Sequence, residues 1–205
     1  MYDQVITNLL EFYNRDVERR DNREYPAWKR EERQHYLSLL QQEGKTSLLE
    51  IGAGTGRDSQ FFQEQGLDVI STDLSPEMVK RCQQKGLTAY VMDFLHLDFP
   101  PGSFDVIYSF NCLLHVPAQD LPVVLQKIQG LLKPASLFYL GVYGGIEREG
   151  ARPDDPDEPR RFFSFHTDEY MREVTRQFFT LLYFKRVHLE GEGDLHFQSM
   201  ILRRS

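Results

Sequence analysis

Two hydrophobic patterns divide the chain near residue 43. Before that point apolar residues such as Leu9, Leu10 and Leu40 recur at helical spacing among dense charges of both signs. This pattern predicts solvated helices. From Ser47 onward, short apolar runs alternate with helix-length amphipathic segments. Alternation of this kind predicts a parallel sheet with helices on both faces.

The elements of that sheet have clear boundaries in the sequence. Ser75-Pro76-Glu77 is typical of a helix start, and Gly66 and Gly86 are typical of residues just past a helix end. Two β-rich runs separated by a glycine-containing turn near the C-terminus predict an antiparallel hairpin. The predicted strands cover residues 48–51, 68–73, 88–93, 104–110, 136–142, 179–189 and 195–202. The expected fold class is therefore α/β, a doubly wound, mostly parallel seven-stranded sheet with a C-terminal antiparallel β-hairpin.

The organisation expected from these patterns is a single domain over residues 1–205. Its parts are an N-terminal helical cap (1–42), a ligand-binding core (43–144), a lid loop rich in proline and aspartate (145–165), and a C-terminal helix and hairpin (166–205). A long segment with many loop signals between regular elements is typical of a lid or a binding loop.

Composition excludes several classes of protein. A formal net charge of −7 argues against a partner such as nucleic acid, whose phosphates require a basic surface. Two cysteines without a CxxC pattern support neither a disulfide framework nor a zinc site, and we expect no metal. No apolar run is long enough to span a membrane, and no signal peptide is visible. The expectation is a cytoplasmic monomer or homodimer with no membrane partner.

The residues that carry chemistry follow the predicted strands. Gly52-Ala-Gly54-Thr-Gly56 leaves the first strand and enters a helix, and Asp73 lies 21 residues beyond Gly52, at the end of the second strand. Asp93 and Asn111 follow the third and fourth strands. Ligands of open α/β sheets bind along the carboxyl edge of the strands, so these residues predict a nucleoside site there. At that edge a carboxylate at Asp73 is placed to accept both ribose hydroxyls.

The spacing of the glycines distinguishes between nucleoside ligands. A dinucleotide site needs glycine or alanine where this chain has Arg57. Glu50, two residues before the first glycine, would repel the phosphates of NAD but attract an ammonium or a sulfonium. The site thus favours a cationic adenosine ligand without phosphate, which is S-adenosylmethionine (SAM).

Four segments resemble the ordered motifs of the class I SAM-dependent methyltransferases: residues 48–56, 69–78, 91–94 and 104–115. The resemblance implies a Rossmann-like fold that binds SAM and releases S-adenosylhomocysteine. It also implies specific roles for the matching residues. Gly52, Ala53 and Gly54 would contact the methionine part, Asp73, Leu74 and Met78 the ribose and adenine, Asp93 and Phe94 the adenine edge, and Asn111 the methionine group and sulfonium.

Other residues are candidates by position. His115 lies beyond the fourth strand, where it would act as a general base or would only order the turn at Val116. Trp28 and Arg30 would cover the cofactor, with Arg30 pairing its carboxylate, unless both serve packing or face solvent.

The acceptor site is predicted at Tyr143, Arg160, Arg161 and Phe162, which suit a small molecule with an apolar body and an anionic group. In the alternative interpretation, these arginines neutralise the neighbouring acids and the phenylalanine anchors the loop.

The function predicted is methyl transfer from SAM to an unidentified small molecule. The Asn/Asp-Pro-Pro-aromatic pattern of amino-directed DNA methyltransferases is missing, because Asn111 is followed by Cys-Leu-Leu. The alternatives are another enzyme on the same sheet, such as an aminopropyl transferase or an NAD oxidoreductase, and a SAM-binding module without catalysis.

Overall fold

The apolar runs form a mixed seven-stranded sheet in a computed structural model that describes residues 2–151, 155, 158–189, 191 and 193–205, without the side chains of residues 2 and 3. The strands are β1 (Ser47–Ile51), β2 (Asp68–Asp73), β3 (Thr88–Val91), β4 (Phe104–Phe110), β5 (Leu132–Gly144), β6 (Arg148–Ala151), β7 (Phe162–Phe165), β8 (Phe179–His188) and β9 (His196–Arg204). The order in the large sheet is β3-β2-β1-β4-β5-β9-β8. Strands β1 to β5 pair in parallel, and β9 runs antiparallel to both β5 and β8. The predicted fold class, a mostly parallel seven-stranded sheet with a C-terminal antiparallel hairpin, is confirmed.

Helices surround this sheet. They are α1 (Tyr2–Arg15), α2 (Val17–Asp21), α3 (Ala27–Gln42), α4 (Arg57–Glu64), α5 (Pro76–Gln84), α6 (Leu121–Leu131) and α7 (Asp168–Arg176). The Ser75 hydroxyl accepts a hydrogen bond from the Met78 N–H and begins α5, and Thr167 begins α7 in the same way. Gly66 has a φ of +89°, a conformation that ends α4 without steric cost.

Successive residues of each strand serve two hydrophobic layers. Leu48 and Val106 face the layer that includes α3, whereas Leu49 and Ile107 face the layer that includes α6 and α7. All four side chains are fully buried. Burial on both faces explains why the strands are continuous apolar runs rather than alternating ones.

The segment 145–165 departs from the predicted lid loop. Strands β6 and β7 lie within it and pair antiparallel, with Arg148 opposite Phe165 and Ala151 opposite Phe162. Phe163 and Phe165 are buried, so the aromatic residues that favour strands outweigh the proline and aspartate signals nearby. Residues 152–154, 156 and 157 of the segment lie outside the described residues. The prediction of a loop is therefore wrong for β6 and β7.

Within the described parts of the chain, none of the helices combines the length and the apolar character that crossing a membrane requires.

Candidate functional site

A cavity of about 440 Å³ lies at the carboxyl edge of the parallel strands, beneath the N-terminal helices. Its volume is within the range of small-molecule sites, roughly 300–1,000 Å³. The floor is formed by the segments after β1, β2, β3 and β4. The roof comes from α1, α2, the segment between α2 and α3, and the start of α3. Its lining residues are Leu9, Tyr13, Arg20, Arg23, Glu24, Tyr25, Trp28 and Lys29.

The glycine loop after β1 fits closely against its surroundings on one side and is open on the other. Gly52 has a φ of +73°, and a Cβ there would overlap the Sγ and Cβ of Cys112. Gly54 has a φ of +56°, and a Cβ there would meet no atom within 4 Å. The loop therefore needs glycine at both positions, and at Gly54 it leaves space for a ligand to approach the backbone.

Asp73 fixes the shape of this loop. One carboxylate oxygen accepts a hydrogen bond from the Gly54 N–H at 2.8 Å, and the other accepts one from the Ser75 N–H at 2.9 Å. Burial raises the pKa of Asp73 despite these two bonds. Each carboxylate oxygen has two acceptor positions, so Asp73 keeps capacity for further donors in the cavity it lines.

Glu50 places a buried carboxyl group in the same wall. It accepts a hydrogen bond from the Ser59 hydroxyl, which lies 2.7 Å from the hydroxyl of Ser71. Burial, together with the nearby Asp58 carboxylate, raises the pKa of Glu50 well above its usual value. A cationic ligand beside Glu50 would restore its charged form, because opposite charges favour each other's ionisation.

Asn111, directly after β4, supplies a second acceptor to the cavity. Its backbone has a φ of +56°, and its N–H donates to the carbonyl of Gly141 at 2.8 Å. The side-chain Oδ1 is buried and accepts no hydrogen bond from the described residues. A buried acceptor without a partner carries a free-energy cost that a ligand N–H would remove.

Not every residue expected at the adenosine end lies in the cavity wall. Leu74, Met78 and Phe94 line the cavity, and Asp93 is not among its lining residues. The Asp93 carboxylate instead accepts a hydrogen bond from the Leu95 N–H at 2.6 Å and lies 2.7 Å from His96 Nδ1. In this structure the Asp93 side chain caps the bend after β3, and its contact with the adenine stays a prediction.

His115 lines the cavity, but its ring is already fully engaged. The Nδ1 atom lies 2.6 Å from the carbonyl oxygen of Phe162 and must donate to it, so Nε2 carries a lone pair, which accepts the Tyr13 hydroxyl at 2.6 Å. Burial lowers the pKa of His115 to about 3. A weakly basic nitrogen with its lone pair occupied is a poor general base, which argues against the expected catalytic role. The ring instead joins α1 to β7.

Of the four residues expected to bind the acceptor, only Tyr143 lines the cavity. Arg161 donates two hydrogen bonds to Asp155 through its Nε and Nη2 atoms, each 2.8 Å long. Arg160 forms an ion pair of 2.9 Å with Glu158, and Phe162 belongs to β7. The acceptor site predicted at Arg160, Arg161 and Phe162 is corrected, because neighbouring acids neutralise both arginines.

At the start of α3, Lys29 and not the expected Arg30 lines the cavity. Trp28 lines the cavity as expected, but Arg30 points away and donates to the carbonyl of Tyr25 at 2.6 Å. Lys29 lines the cavity in its place. The signal was present in the sequence, because Lys29 precedes the buried Tyr36 by seven residues and so lies on the same helix face.

A buried ion pair holds α3 against α4. Arg33 Nη1 lies 2.7 Å from an Asp58 carboxylate oxygen, and the Tyr25 hydroxyl donates to the same oxygen at 2.6 Å. Arg33 and Tyr25 were missed from the sequence, because the crowded charges of residues 15–33 resemble a solvated helix surface. The pair fixes the roof of the cavity relative to the glycine loop.

The polar groups of the cavity fit SAM, the ligand expected from the sequence. Glu50 and Asn111 offer acceptors for positive charge or N–H groups, Asp73 offers acceptors for hydroxyls, and the space at Gly54 admits a ligand against the backbone. Among the described residues, no group of three or more His, Cys, Asp or Glu is placed to hold a metal ion.

Comparison with known proteins supports the same class. Residues 48–135 match the family model described as a methyltransferase domain. A methyltransferase of Schizosaccharomyces pombe is 26% identical over 160 residues, which cover 68% of this chain and 61% of that protein. The malonyl-[acyl-carrier protein] O-methyltransferase of Hamiltonella defensa is 31% identical over 137 residues, covering 62% of this chain and 52% of that protein. The chain thus spans about half to three-fifths of the length of these relatives.

The fold is also that of solved methyltransferases. The crystal structure of the 1,6-didemethyltoxoflavin-N1-methyltransferase of Burkholderia thailandensis, with bound S-adenosylhomocysteine, superposes with a TM-score of 0.74 at 24% identity. The match covers 100% of this chain and 89% of that one. Sheet order and the position of the glycine loop define a Rossmann-like fold, and residues 48–135 match a methyltransferase domain. The domain match, the relatives and the shared fold together support the class that the motifs resemble, the class I SAM-dependent methyltransferases.

Proposed function

We propose that the protein transfers a methyl group from SAM to a small-molecule acceptor. The observation that carries this proposal is the pair of buried acceptors in one cavity wall, Glu50 and the unpartnered Asn111 Oδ1, beside the glycine loop. Buried acceptors at this point suit the ammonium and the sulfonium of SAM. Asp73 would then accept the ribose hydroxyls, and Leu74, Met78 and Phe94 would enclose the adenine.

When bound, SAM supplies an electrophilic methyl group on a sulfonium that is a good leaving group. The chain's own contribution is to bind, orient and exclude water. Leu9, Tyr25 and Trp28 cover the cavity from the N-terminal helices. Holding two reactants in line can account for roughly 7–11 kcal/mol of a barrier in favourable cases.

Proton removal by His115 has no part in this mechanism, because its Nε2 lone pair accepts the Tyr13 hydroxyl. The acceptor would therefore enter with a free lone pair or as an anion. The overall negative charge of the chain and the covered cavity support a small acceptor rather than a nucleic acid. Cytoplasmic localisation and a monomeric or homodimeric state remain predictions from the sequence.

The experiment that tests the proposal compares ligands for binding and then for turnover. In thermal shift and calorimetry, S-adenosylhomocysteine at 100 times its dissociation constant should stabilise the protein by about 2.7 kcal/mol. NAD should not stabilise it, because its phosphates would bring negative charge to the cavity wall that contains Glu50. Stabilisation by NAD or by decarboxylated SAM alone would favour the alternative enzymes, and SAM binding without methyl transfer to any member of an acceptor library would favour a non-catalytic module.

A further inference from the structure

Lys29 is an unusual cation in this cavity. Its ammonium Nζ lies 5.3 Å from the ring centroid of Trp28 and 5.1 Å from that of Phe110. In the described part of the chain it forms neither an ion pair nor a side-chain hydrogen bond. The ammonium is held against two aromatic faces without an ion-pair partner among those residues, which leaves its charge available to a ligand.

Three neighbouring cations, Arg33, Arg20 and Arg57, differ from Lys29 because they have partners. Arg33 is paired with Asp58 at 2.7 Å, and Arg20 with Asp16 at 2.8 Å. Arg57 donates to the backbone carbonyls of residues 21 and 23 at 3.0 and 2.7 Å. Arg23 also lines the cavity without a side-chain hydrogen bond or ion pair among the described residues, but it is exposed to water, so Lys29 is the half-buried cation of the roof that most needs an anion.

The electrostatic environment of Lys29 supports this conclusion. Burial lowers its pKa to about 8, and the positive charges of Arg23, Arg20 and Arg57 act in the same direction, whereas the Asp58 carboxylate opposes them. A group in this situation gains from the arrival of a negative charge, which would raise its pKa again.

The position of Lys29 indicates which ligand would bring that charge. Four features lie along the sheet edge: Asp73 ends β2, the glycine loop follows β1, Asn111 follows β4, and Tyr143 is the penultimate residue of β5. The ring beside Lys29 belongs to Phe110, immediately before Asn111 and two strands away from Asp73. Under the proposed function the adenosine lies at Asp73, which leaves the end of the cavity at Phe110 and Lys29 for the acceptor.

Aromatic rings near Lys29 form an apolar wall, with ring planes inclined to one another by 25° to 77°. The Trp28 ring lies 4.8 Å from Phe197 and 6.1 Å from Phe110, and Phe110 is stacked on Phe197 at 4.7 Å, all between ring centroids. Tyr143 meets Phe197 edge-on at 5.5 Å. Such a wall suits a planar apolar body.

We propose that the methyl acceptor is a small organic acid that contains a planar ring. Its anionic group would pair with Lys29, and the ring would lie against Trp28, Phe110 and Tyr143. This inference rests on the proposed function and specifies its acceptor class. The anion-binding role expected from the sequence at Arg160 and Arg161 thus moves to a residue inside the cavity.

The test uses protein saturated with S-adenosylhomocysteine, to which two acids and their neutral amides are titrated by calorimetry. The probes are benzoate against benzamide, and indole-3-acetate against indole-3-acetamide. The wild-type protein should bind each acid about ten- to a hundredfold more tightly than its amide, the value expected for a charge-assisted hydrogen bond. Lys29→Met should abolish this preference, and Lys29→Arg should retain it.

Arg30→Met is the matched control, because Arg30 is adjacent on α3 but points away from the cavity. This variant should keep the preference for acids. In the wild-type protein the affinity for acids should fall above about pH 8 by up to tenfold per pH unit, as the ammonium loses its proton, whereas Lys29→Arg should remain insensitive.

Two results would overturn the inference. The first is a wild-type protein with no preference for the acids. The second is a Lys29→Met variant that still prefers acids to amides but no longer prefers S-adenosylhomocysteine to 5′-methylthioadenosine. Because 5′-methylthioadenosine lacks the amino-acid carboxylate, this result would assign Lys29 to the carboxylate of the cofactor. Failure of the wild-type protein to bind S-adenosylhomocysteine at all would be a separate result, directed against the proposed function.

Discussion

Replacing His115 with asparagine tests the buried imidazole that connects α1 to β7. The ring is 4% exposed, and it bonds the Tyr13 hydroxyl and the Phe162 carbonyl, each at 2.6 Å. Burial lowers its pKa to about 3, compared with roughly 6.5 in an unfolded chain. The folded protein therefore holds the neutral ring, and the unfolded chain binds the proton more readily.

The sign of the pH dependence follows from this difference. The contribution of His115 to the stability of the folded protein is complete above pH 6.5, where the ring is neutral in both the folded and the unfolded state. This contribution is lost as the pH falls from 6.5 towards 3. The slope is about 1.4 kcal/mol per pH unit for one proton. Between pH 7 and pH 5 the free energy of unfolding should therefore fall by about 2 kcal/mol through His115 alone.

Urea unfolding at pH 7 and pH 5 measures this contribution. The His115→Asn variant keeps a donor for the Phe162 carbonyl, and its loss of stability between the two pH values should be about 2 kcal/mol smaller than in the wild-type protein. His35→Asn is the control, because His35 is exposed on α3; it should behave as the wild-type protein does. The pKa of His166 is also lowered by burial, but His166 is common to all three proteins. Equal pH dependence in wild type and His115→Asn would refute a buried, neutral ring.

The loop residues give two further predictions. Gly52→Ala should lower the free energy of unfolding by about 2–5 kcal/mol, because the new Cβ adds left-handed backbone strain and overlaps Cys112. Gly54→Ala should lower it by only about 1–2 kcal/mol, because only the backbone strain applies there. The main effect of Gly54→Ala should be weaker S-adenosylhomocysteine binding, measured by calorimetry. Equal destabilisation of both variants would contradict the difference in space between the two sites. Asp73→Ala should remain folded but lose roughly 1.5–3 kcal/mol of stability and about ten- to a hundredfold in S-adenosylhomocysteine affinity. Unchanged affinity would remove Asp73 from the site.

The parts of the fold predicted correctly depend on local signals. Ser75 begins α5 and Gly66 ends α4, because a cap depends only on a few consecutive residues. The glycine loop and Asp73 were located because strand ends in a parallel sheet share one edge. The class of fold and the position of the cavity follow from these features alone.

The parts that were not predicted depend on partners distant in sequence or on side-chain direction. Arg161 was expected in the acceptor site, but the sequence does not reveal that its guanidinium faces Asp155. Asp93 follows β3 as predicted, yet its carboxylate turns to the Leu95 N–H. For Lys29 the helix face would have decided the assignment, since Tyr36 fixes which side of α3 is buried.

The aromatic wall of the cavity gives the protein an intrinsic optical signal. Trp28 is the single tryptophan of the chain, so all indole fluorescence comes from the cavity wall itself. The quantum yield of that ring depends on the Lys29 ammonium beside it and on the Phe110 ring that stacks on it. A molecule that enters the cavity changes both surroundings. Occupancy can accordingly be followed by emission in the unlabelled wild-type protein, without knowledge of the acceptor in advance.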